Sequence, residues 1–79
     1  MASEPDEGAS GRTLLIRSAE AEMAAGRYSQ AAQEFDAAYR IEPSGPLCLK
    51  SARAHLLAGH LIDARERYYT CIEATDLPP

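Results

Sequence analysis

At 79 residues, the chain holds at most one small domain with a modest hydrophobic core. Twelve acidic against eight basic residues give a net charge of −4, which leaves no cationic surplus for a phosphate backbone and speaks against nucleic acid as a partner. No run approaches the ~18 apolar residues of a membrane span, and Thr13-Leu14-Leu15-Ile16 is too short for a signal-peptide core, so no membrane partner is expected.

Residues 1–10 are small, acidic or turn-forming, with Glu4, Asp6 and Glu7 uncompensated by any cation, and are expected to form a disordered acidic tail. Gly8-Ala9-Ser10-Gly11-Arg12-Thr13 is faintly like the end of a phosphate-binding loop. Asp6 stands where that loop needs its first glycine, so the segment reads as tail leading into a helix.

From Arg12 onward Ala, Leu, Glu and Arg dominate, and glycine and proline punctuate the chain at helix-length intervals. A first helix is predicted from about Gly11 to Ala25, stopped by Gly26, which reaches the left-handed conformation without steric cost. A second runs from Ser29, as N-cap, to Ile41, because Pro43 cannot continue it. Ser44 and Gly45 turn the chain, and Pro46 opens a third helix at a position whose missing N–H costs nothing. Gly59 ends that helix, and a fourth runs from Ile62 or Asp63 to Ala74. The fold class is therefore all-α, with two helix-turn-helix hairpins between residues 11 and 77.

Shifting the sequence by 33 residues lays Leu14, Ser18, Ala19, Ala21, Ala25, Gly26 and Ala31 on Leu47, Ser51, Ala52, Ala54, Ala58, Gly59 and Ala64. Ile16 meets Leu49, Arg17 meets Lys50, Met23 meets Leu56 and Phe35 meets Tyr68, which is a structural repeat rather than a shared excess of alanine. The first copy carries Gly26-Arg27-Tyr28 at the turn, Ala31-x3-Phe35, Ala38 and Pro43. The second carries Ala52, Gly59, Ala64-x3-Tyr68 and Cys71.

In these residues the chain resembles the tetratricopeptide repeat family, with one repeat over 12–43 and another over 46–77. It departs from the family pattern at Leu15 and Cys48, where tryptophan is usual, at Glu22 and His55, where tyrosine is usual, and at Asp76 in place of the closing proline. The resemblance implies a short right-handed α-solenoid acting as a non-enzymatic scaffold that binds another protein in a concave groove lined by the first helix of each repeat. That groove would comprise Thr13, Ile16, Arg17, Glu20, Met23 and Ala24 from helix one, and Leu49, Lys50, Arg53, Leu56 and Leu57 from helix three. Apolar anchors beside Arg17, Lys50 and Arg53 suit an acidic or amphipathic partner segment, while the bland alternative is that Glu20 pairs with Arg17 or Arg53 on a solvated face. Because solenoid repeats stack hairpin on hairpin, Arg65, Tyr69 and Ile72 are expected to form a second face, one that meets another polypeptide, most simply a second copy in a homodimer.

No catalytic residue is expected, because no serine or cysteine stands in a recognisable arrangement with a base. The soft ligands Cys48, His55, His60 and Cys71 match no recognised zinc spacing, so neither a metal nor another cofactor is expected. A Cys48–Cys71 bridge is compatible with two facing helices of one hairpin. Buried cysteine more often acts as a small hydrophobe, and two free thiols without a secretion signal predict a cytoplasmic setting.

Overall fold

In the computed structural model, which describes residues 10–75 and their side chains as far as Glu73, the backbone enters its first helix under a side-chain cap. Ser10 Oγ accepts the backbone N–H of Thr13 at 3.2 Å and starts α1, Gly11–Ala24. Ser10, assigned to the tail from sequence, is thus the N-cap of α1. The rest of the acidic tail, and the Asp76–Pro79 end of the second repeat, lie outside the described residues.

The described residues form three further helices and no strand: α2, Tyr28–Ile41; α3, Gly45–Leu57; and α4, Leu61–Thr75. The all-α prediction therefore holds, and each helix packs against the next in chain order. Helix α2 begins one residue before the predicted cap. Arg27, rather than Ser29, occupies the N-cap, and its side chain makes no capping hydrogen bond. At α3, Pro46 lies in the first turn as expected, but Gly45, read as a turn residue, is already helical, and Ser44 is the cap, its Oγ accepting Leu47 N–H at 3.2 Å.

The two hairpin turns are copies of each other. At the first, Gly26 N–H donates to the Met23 carbonyl and Arg27 N–H to that of Glu22; at the second, Gly59 and His60 donate to Leu56 and His55. Gly26 and Gly59 sit at φ of 82° and 84°, a conformation that costs any other L-residue steric strain. Positions 33 apart in sequence thus carry the same backbone geometry.

Small residues set the interhelix spacing. Ala19, Ala31, Ala32, Ala38 and Ala54 are fully buried around Phe35 and Leu47, with Leu15, Ile16, Met23 and Tyr39 packed on their margin. Alanine lets helix backbones approach closely, but it removes little apolar area from water, so covalent and polar links matter more here than in a Leu-rich core. One such link is Arg12, whose guanidinium donates to the Glu42 carbonyl at 2.8 Å and to Ser44 Oγ at 3.2 Å, tying the start of α1 to the α2–α3 connection.

The other link corrects the expectation of free thiols. Cys48 on α3 and Cys71 on α4 form a disulfide with Cα atoms 5.5 Å apart, and neither cysteine is free. The two helices of the second hairpin face each other, as their period positions imply, and bring the sulfurs within bonding range. The free-thiol ground for a cytoplasmic setting therefore falls away; no helix of the described residues is long and apolar enough to cross a membrane. Ile41, at the end of α2, is 57% exposed.

Candidate functional site

Between α1 and α3 the structure brings together part of the predicted groove. Glu20 and Lys50, both about half exposed, form an ion pair at 2.5 Å across the two helices. Lys50 borders two neighbouring depressions. One, of about 220 Å³, is lined by Glu20, Met23, Phe35, Lys50 and Arg53, and the other, of about 140 Å³, by Arg12, Ile16, Ser44, Pro46, Leu47 and Lys50. Sequence offered Arg17 or Arg53 as the partner of Glu20, whereas Lys50 takes it. Arg17 and Leu49 are exposed on their helices.

Leu56 and Leu57 belong elsewhere. Leu57 lines a shallow depression with Gly26, Arg27 and Tyr28 beside the first hairpin turn. Leu56 lines a depression of about 430 Å³ with Leu61, Ala64, Arg65, Tyr68, Tyr69 and Ile72. This is the second predicted face, enlarged by Leu56, Leu61 and Tyr68. Leu61, Tyr69 and Ile72 are each more than half exposed, and the Arg65 guanidinium lies over the Tyr69 ring at 5.8 Å. Leu61 escaped the sequence reading because the fourth helix was expected to start one or two residues later.

A third feature, which no sequence motif announced, joins α2, α3 and α4 through one carboxylate. Asp36 on α2 accepts hydrogen bonds from the fully buried Ser51 hydroxyl and from His55 Nε2 at 2.8 Å, both on α3, and forms an ion pair with Arg67 of α4 at 3.2 Å. The contacts do not make a serine–histidine–aspartate triad, because Ser51 donates to the carboxylate rather than to the imidazole. The other ring nitrogen of His55, Nδ1, lies 3.2 Å from Nδ1 of His60, and the rings tilt at 49°. Asp63, in the first turn of α4, adds a carboxylate, and ligand atoms of His55, His60 and Asp63 lie within 4.8 Å of one another.

No protein-family model, curated protein or solved structure matches the chain.

Proposed function

We propose that this chain is a non-enzymatic protein-interaction module of tetratricopeptide-like build, and that its partner is a second copy docked through α4. The observation that carries this reading is the contrast between equivalent positions of the two hairpins. Ala32 on α2 is fully buried beneath the next hairpin and Tyr39 is half-buried, whereas Arg65 and Ile72, 33 residues on, are exposed. Stacked repeats bury this face.

A second copy suits the face by charge as well as shape. Arg65, Tyr69, Ile72 and Glu73 follow the spacing of one helix surface, with Arg65 and Glu73 four residues either side of Tyr69. In an antiparallel α4 pair centred on Tyr69, Arg65 of each copy meets Glu73 of the other while the apolar side chains close over each other. Two-fold symmetry makes each such contact twice.

Light scattering after gel filtration tests this directly: a dimer mass is expected for the parent chain, and a monomer mass for Tyr69→Glu with Ile72→Glu. A parent chain that stays monomeric at high micromolar concentration overturns the reading. A second reading, an acidic or amphipathic segment bound between α1 and α3, is favoured by the Met23–Phe35 depression bordered by Lys50 and Arg53. Lys50→Glu with Arg53→Glu separates the two readings, since it leaves the α4 dimer intact and abolishes capture of an acidic helix.

A further inference from the structure

The two imidazoles at the α3–α4 turn face each other in an arrangement that a single cation completes. Asp36 Oδ2 stands 2.8 Å from His55 Nε2. A carboxylate only accepts, so Nε2–H points at Asp36 and Nδ1 is the ring nitrogen left to bind an ion. His60 Nδ1 lies 3.2 Å from it. Two nitrogens each ~2.0–2.1 Å from a tetrahedral zinc ion stand ~3.3 Å apart, so the rings already hold the ligand-to-ligand separation of such a site.

We propose that His55 Nδ1, His60 Nδ1 and an Asp63 carboxylate oxygen form a zinc site, with Asp36 as the positioning residue behind His55. The reading departs from the sequence expectation that the chain carries no metal. Two independent observations support it: ligand atoms of the three residues gathered within 4.8 Å, and a partly buried carboxylate that orients the most buried ligand. A ligating histidine typically donates its other N–H to just such a group. Imidazole donors select zinc over magnesium and calcium, which prefer all-oxygen shells. The fourth position falls to water, because His60 is only half-buried and Asp63 is exposed. The bound ion ties the end of α3 to the start of α4.

The test is titration of the oxidised, tag-free full chain with zinc chloride against a chromophoric chelator. Oxidation commits Cys48 and Cys71 to each other, so neither sulfur competes for the ion. One zinc per chain is expected, with no saturable magnesium or calcium binding, and with both Nδ1 atoms coordinated in long-range proton–nitrogen spectra. Asp36→Asn should weaken binding by the ~10–100-fold that losing an orienting partner costs. His60→Ala and Asp63→Asn, neither of which removes a donor to Asp36, should weaken it at least as much while the helical circular dichroism spectrum stays unchanged. Absence of saturable zinc binding, undiminished affinity in both of these variants, or coordination through the Nε2 atoms overturns the proposal.

Discussion

Asp36 Oδ2 on α2 accepts from His55 Nε2 on α3 at 2.8 Å, while its other oxygen receives Ser51 and Arg67. One side chain therefore joins three helices. Truncation by Asp36→Ala leaves a fully buried hydroxyl, an imidazole and a largely buried guanidinium without their acceptor. Leaving buried donors unsatisfied costs more than the bonds contribute, so a loss on the order of 3 kcal/mol is expected in urea denaturation. A loss below ~1 kcal/mol, typical of an exposed pair, would show that the cluster is a surface ornament.

The Cys48–Cys71 disulfide, with 23 residues of sequence separation, should contribute about 3 kcal/mol by restricting the unfolded chain. For a domain of this size that corresponds to roughly 15 °C in Tm. Comparing melts of the parent chain and Cys48→Ser with Cys71→Ser measures it. Thiol alkylation of the unreduced protein should label neither cysteine, and double labelling would refute the bond.

Gly26 and Gly59 both lie at positive φ, with nothing within 4 Å of an added Cβ. The cost of Gly26→Ala or Gly59→Ala is therefore conformational alone, about 1–2 kcal/mol each. Asparagine, which tolerates the left-handed region better, should cost less at either site. Equal stability of all four variants and the parent in thermal melts would contradict the turn geometry.

The antiparallel α4 pair makes a charge-swap prediction. Arg65→Glu alone should weaken the dimer by placing two acidic groups together, and adding Glu73→Arg should restore it. Sedimentation equilibrium of the single and double variants decides. A double variant no stronger than Arg65→Glu would mean that the two copies do not meet in this register.

Much of the local structure was legible in the chain because short-range sterics determine it. Gly26, Gly59, Ser44 and Pro46 end or begin helices by conformational preference, and the 33-residue self-similarity placed Ala19, Ala31, Ala52 and Ala64 at the buried contacts that they occupy. The all-α fold followed from the glycine and proline punctuation, and the face containing Arg65, Tyr69 and Ile72 from the resemblance to stacked repeats. What the sequence could not determine depends on how helices meet. Cys48 reaches Cys71, Glu20 takes Lys50, and Asp36 gathers Ser51, His55 and Arg67 only when α1 to α4 pack side by side. His55 and His60 state the reason most simply: five residues apart on one straight helix they would point ~140° away from each other. The left-handed turn at Gly59, with φ of 84°, breaks that helix and folds one ring back onto the other.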